Sequence, residues 1–100
     1  MGSEFTDADL ALYQRVDEVL HYLWDPIGIA GIPEARDEYH GYLPKVFALL
    51  KEGADAVTIA AYLETVAVAR MGFDGNDAHA RKIADVLLVW RDKIMQGNRT

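Results

Sequence analysis

Leu12, Val16, Val19, Leu20 and Leu23 recur at intervals of one, three and four residues, and rows of the same kind return three more times before the chain ends. Such a row lies along one side of a helix, because each residue advances about 100° around the axis. A strand would need strict alternation instead. The second row is Tyr39, Leu43, Val46, Phe47 and Leu50, the third Ile59, Ala60, Leu63, Val66 and Ala67, and the fourth Ile83, Leu87, Trp90 and Ile94. No alternating stretch competes with them, so the spacing predicts an all-α protein of four helices.

The residues between the rows set the ends. Thr6 and Asp9 form a capping pair for a first helix over 7–24, which Asp25-Pro26 ends, because the residue before a proline is pushed out of the α region. A second helix begins at Pro33 or Glu34 and reaches Glu52. Pro44 lies inside its pattern and lacks a backbone donor, which predicts a kink or break near Gly41. A third helix runs from about Asp55 or Ala56 to Arg70 with Gly72 as its stop, and a fourth runs from behind Asn76 or Asp77 to Gln96. Short connections favour an up-down-up-down four-helix bundle. That order brings Trp24, Asp25, Asp37, Glu38, Tyr39, His40, Arg70, Asp74, Asp77 and His79 to one end. The other end holds the Lys51–Asp55 turn and the termini.

One hundred residues, 51% of them apolar, suffice for one domain with one core. "MGSEF" reads as an expression tag, which leaves 6–100 as the helical domain. There is no cysteine, so disulfides and thiolate metal sites are excluded. No apolar run nears the ~20 residues that cross a bilayer, and the start lacks a signal-peptide pattern. A cytoplasmic protein without a membrane contact is expected.

Ten basic against sixteen acidic residues argues against a nucleic-acid partner. Residues 1–40 carry nine acids and two bases, whereas 41–100 carry seven and eight. The acidic first part suits a basic protein partner by electrostatic steering, with a solvated, solubilising face as the plain alternative.

Two spacings suggest metal chemistry: Glu18-x-x-His21 and Asp37-x-x-His40. Helical di-iron sites need such ligands to point inward. On the wheel Glu18 and Asp37 point outward and His21 lies well off the core face, so neither a metal nor another cofactor is expected. "DGND", 74–77, is a turn and a cap, too short for a calcium loop. No hydroxyl residue has a base and an orienting partner beside it, so no catalytic residue is assigned and a non-enzymatic role is favoured.

Arg70 falls on the centre line of the third helix's apolar row, where an inward guanidinium needs an acid. Asp25, Asp37 and Glu38 are the candidates, and the pairing would pin the 23–40 corner. The alternative is that Arg70 reaches solvent from the helix end. Val57, Ala61 and Val68 lie opposite the third helix's core row, and Leu88 and Val89 turn away from the fourth's. Apolar residues all round a helix point to burial on more than one side, either because the bundle wraps these helices centrally or, the favoured reading, in a homodimer or a partner interface.

"WDPIGI", "PEARDEYHGY", "VFALLKEGA", "IAAYL" and "RMG", in this order over 24–72, resemble a family of small helical bacterial proteins of unknown function. The resemblance implies a short all-helical fold and no established enzyme activity. His40 stands where that pattern has an acid, and Ala69 where it has Glu. The expectation is a small acidic protein-binding module, of the immunity or antitoxin kind, neutralising a basic partner. A ligand-binding or enzymatic bundle is the alternative, with Trp24, Asp25, Asp37, Glu38, Tyr39, His40, Arg70 and His79 as its site. A second alternative is a self-associating subunit using Val57, Ala61, Val68, Leu88 and Val89.

Overall fold

In a computed structural model the chain folds into four α-helices and several short helical turns, with no strand among the described residues. The structure describes residues 5–25, 31–36, 39–70, 72 and 75–97, with Ala35, Arg70 and Gly97 described in backbone alone. Helix α1 is Asp7–Glu18, α2 is Leu43–Lys51, α3 is Ala56–Thr65 and α4 is Asp77–Gly97. Thr6 accepts from the Asp9 N–H at 3.0 Å while Asp9 accepts from the Thr6 N–H at 3.2 Å, a reciprocal capping box that meets two otherwise unpaired donors. Asp55 caps α3 through the Thr58 N–H, and Asn76 caps α4 through the His79 N–H.

The predicted break in the second helix is present. Single 3₁₀ turns at Pro33–Ala35 and His40–Tyr42 precede α2. Pro44 then falls in the first turn of α2, where its missing N–H costs nothing.

The four helices pack together with contacts that fit an up-and-down order. Lys51 at the end of α2 reaches Asp9 at the start of α1, Glu64 of α3 meets Asn76 before α4, and the Arg15 guanidinium lies over the Trp90 ring. All four apolar rows supply the core, with Leu12, Val16, Val46, Ile59, Leu63 and Leu87 fully enclosed. Burying each such side chain stabilises the fold by about 2 kcal/mol.

One member of the first row is misplaced by the sequence pattern. Leu23 is 50% exposed, and Trp24 takes the core position instead. The cause is a π-helical segment, Val19–Trp24, which continues α1 with wider turns. Each residue there advances less than 100°, so the core face falls one residue later. His21, expected off the core face, is buried for the same reason. A second π segment, Val66–Arg70, extends α3 toward the same end of the bundle.

Candidate functional site

The end expected to gather a site does so in part. Trp24 and Tyr39 are 3% and 2% exposed, with ring centroids 5.4 Å apart. The Tyr39 hydroxyl donates to Asp25 Oδ1 at 2.8 Å, and His79 Nε2 donates to the Trp24 carbonyl at 3.1 Å. Asp25 adopts a left-handed conformation, φ 34°, which acidic and amide residues tolerate better than bulky ones. Both aromatic rings therefore close the core, and their polar atoms tie the turn to the helices. Asp37, Glu38, Asp74 and the side chain of Arg70 lie outside the described residues, and with them the expected Arg70 pin.

Among the described residues the corner is held by a different arginine. Arg36 donates two parallel hydrogen bonds to Asp17, at 2.9 and 3.0 Å, and His40 Nε2 stands 3.2 Å from the same Asp17 Oδ1. The bidentate geometry fixes direction as well as distance. Burial pushes the Asp17 carboxyl up, but the Arg36 hydrogen bond and charge outweigh it and hold the group below its ordinary value of 3.8. Asp17 in turn raises Arg36, whose guanidinium also lies 5.5 Å from the Tyr22 ring centroid.

Beside this network runs an open groove lined by Leu10, Tyr13, Gln14, Asp17, His40 and Leu43. Its lining mixes the apolar side chains of Leu10, Tyr13 and Leu43 with the Asp17 carboxylate, the Gln14 amide and the His40 imidazole. Leu10 is 50% exposed at its edge, although it follows directly on buried Asp9. Next to the groove the Phe5, Tyr13 and Phe47 rings pack in edge-on and tilted pairs with centroids 5.0 to 5.3 Å apart. Phe5, set aside in the sequence as part of a tag, thus packs on α1 and α2.

Of the two metal-like spacings, Asp37-x-x-His40 has its acid outside the described residues, and Glu18-x-x-His21 does not bring its two side chains together. Glu18 pairs with Arg15 at 3.0 Å, and His21 is enclosed with its Nδ1 unpartnered among the described residues. No group of three metal-ligating side chains occurs among the described residues.

The outward apolar set divides. Val57 and Val68 are 60% and 47% exposed, and Ala61 between them is exposed too. Leu88, expected on the same interface, is half-buried and packs on the core. Val89 is exposed on a separate patch of α4 with Val86, Trp90 and Lys93.

Arg36 and Asp17 were missed in the sequence because they are nineteen residues apart and neither lies on an apolar row. The signal that existed for the ion pair at the opposite end was Asp9, which sits on the core side of the first wheel and so needed a cation.

These features define an all-helical bundle with an open groove along α1 that Asp17 helps to line. No protein-family model, curated protein or solved structure matches the chain. Among the described residues no helix is long and apolar enough to cross a membrane.

Proposed function

We propose that the protein is a non-enzymatic, cytoplasmic binding module for a basic protein partner, of the immunity or antitoxin kind. The carrying observation is the α1 groove, open to solvent and lined by Leu10, Tyr13 and Leu43 together with Asp17, in the part of the chain with nine acids and two bases. Apolar contact supplies affinity, and the surrounding field supplies steering.

Three of the four acids of α1 are not bare. Asp9 pairs with Lys51, Asp17 with Arg36 and Glu18 with Arg15. Such pairs leave the net charge of −6 unchanged, and it is net charge that acts beyond contact distance. A basic partner is therefore drawn by the whole molecule and fixed by the groove. The small-ligand alternative has less support, because Trp24 and Tyr39 spend their surfaces on the core.

The test is affinity capture from native bacterial cells at low salt, with wild-type protein and a Leu10→Arg variant whose fold is checked by circular dichroism. Wild type is expected to retain a basic protein that salt elutes, and the variant to lose it. Failure to retain a basic protein, or equal retention by both, would overturn the reading.

A further inference from the structure

Two registers compete at the end of α1. Spaced as an α-helix, Leu12, Val16, Val19, Leu20 and Leu23 share one side, and His21, Tyr22 and Trp24 lie off it. The π segment Val19–Trp24 takes the other register, with His21 and Trp24 enclosed and Tyr22 and Leu23 half-exposed. We propose that both are states of the folded protein: the last turns of α1 exchange between the π form and an α form one residue out of step, and this exchange controls the ion pair beside the α1 groove.

Opposed terms keep the two forms close. The π form packs the Trp24 ring against Tyr39 and keeps the hydrogen bonds from His79 to the Trp24 carbonyl and from Tyr39 to Asp25. Against that, it shuts His21 Nδ1 away from solvent with no hydrogen-bond partner among the described residues, which is costly for a buried polar atom. It also leaves Leu23 half in water. Its closing bond runs from the Asp25 N–H to the Leu20 carbonyl, five residues back. Drawing that bond in to four residues turns the end of the helix by about 100°, the advance of one residue. Leu23 then takes the place of Trp24, and His21 returns to solvent. Leucine fills less of the core than tryptophan, so the π form is the ground state and the α form the minor one.

Tyr22 carries the register to the groove. The Arg36 guanidinium lies over the Tyr22 ring and donates both hydrogen bonds to Asp17, which lines the groove with His40. Turning Tyr22 takes the ring from under Arg36, so the α form loosens Arg36 and frees the Asp17 carboxylate for a cation from outside. One two-state element is thus biased from two places, the core at Trp24 and the groove at Asp17, as coupling between sites requires. This regulation rests on the function proposed above only for what the groove holds, and the exchange itself belongs to the free chain.

Amide relaxation dispersion and saturation transfer on the full chain, with no partner present, test it, because helix register shifts fall in the microsecond-to-millisecond range. Wild type is expected to show one exchange process across the 19–25 amides, with a minor state of about 1%. Leu23→Asp is tolerated where that side chain is half-exposed but not in the core. It should stay folded by circular dichroism and lower the minor population at least about tenfold. Arg36→Ala removes a contact made only in the π form and should raise that population about threefold. Trp24→Gln should invert the populations, with 19–22 shifts that match the wild-type minor state; if it does not fold, Leu23→Asp decides. Flat dispersion over 19–25 in wild type, or undiminished exchange in Leu23→Asp, would overturn the two registers. An unchanged minor population in Arg36→Ala would overturn the link to the groove. None of these readings depends on capture of a basic protein, so a failed capture and a failed register are told apart.

Discussion

At one end of the bundle α1 starts on the Thr6–Asp9 capping box, α3 starts on the Asp55 cap, and Lys51 closes α2 onto Asp9 at 2.6 Å. At the other end α1 and α3 both widen into π segments, and the contacts that hold them span long stretches of chain: Arg36 to Asp17, Tyr39 to Asp25, His79 to Trp24. The first end is built mainly from bonds between residues three apart, which form as soon as the helices do. The second depends on parts of the chain that meet only in the folded state. Loop closure must precede such contacts, so this end should open locally before the rest.

The largest effect that tests this contrast is expected from Trp24→Ala. It removes the ring that substitutes for Leu23 in the core, and large aromatic deletions cost about 3–5 kcal/mol. Urea denaturation would measure it. A loss under about 1 kcal/mol would mean that the wide end is not continuous with the core.

Next is Lys51→Met at the capped end, which leaves the Asp9 carboxylate partly enclosed without its cation. Lys51 is 42% exposed on its side chain against 13% for Asp9, so solvent takes up part of the loss and about 1–2 kcal/mol is expected. Adding Asp9→Asn should recover some of it, and strict additivity in the double-mutant cycle would show the pair to be uncoupled.

Arg36→Ala should cost about 1 kcal/mol globally, because its ion pair with Asp17 is roughly one-third exposed. Its local effect separates the two ends. Amide exchange is expected to quicken at 31–36 and 39–43 while the 6–12 and 51–58 amides keep wild-type protection. Uniform quickening would show that both ends open as one unit.

How far the sequence was legible follows the same division. The Thr6, Asp55 and Asn76 caps and the four apolar rows are local signals, and the helix starts and most core positions follow from them. Pro44 marked the break before α2 for the same reason. The wheel failed where its one assumption failed: 100° per residue does not hold across Val19–Trp24, so Leu23 and Trp24 exchange places and His21 turns inward. Leu88 fell just within reach of the core rather than outside it. The groove was invisible because α1 supplies Leu10, Tyr13, Gln14 and Asp17, while His40 and Leu43 arrive from beyond the turn. No spacing along one segment encodes that meeting.

Acid separates the ends by the smallest margin. The hydrogen bond from Lys51, with that from the Thr6 backbone, holds Asp9 below the ordinary value of 3.8, and the Thr58 backbone N–H does the same for Asp55. Asp17 is held low at the wide end by Arg36, against its own burial. A carboxyl whose folded pKa is depressed binds protons more readily when unfolded, so its contribution is complete above 3.8 and is lost as pH falls through the lower, folded value. Stability attributable to these groups should be level from pH 7 to about 5 and fall below about 4. Asp9→Asn and Asp17→Asn are each expected to be less stable than wild type at pH 7 and to approach it near pH 3, because the variants have no proton to take up there. Thermal melts at half-unit steps would resolve the curves. If Asp17→Asn kept the full wild-type slope, Arg36 would be holding the corner by packing on Tyr22 and not by charge.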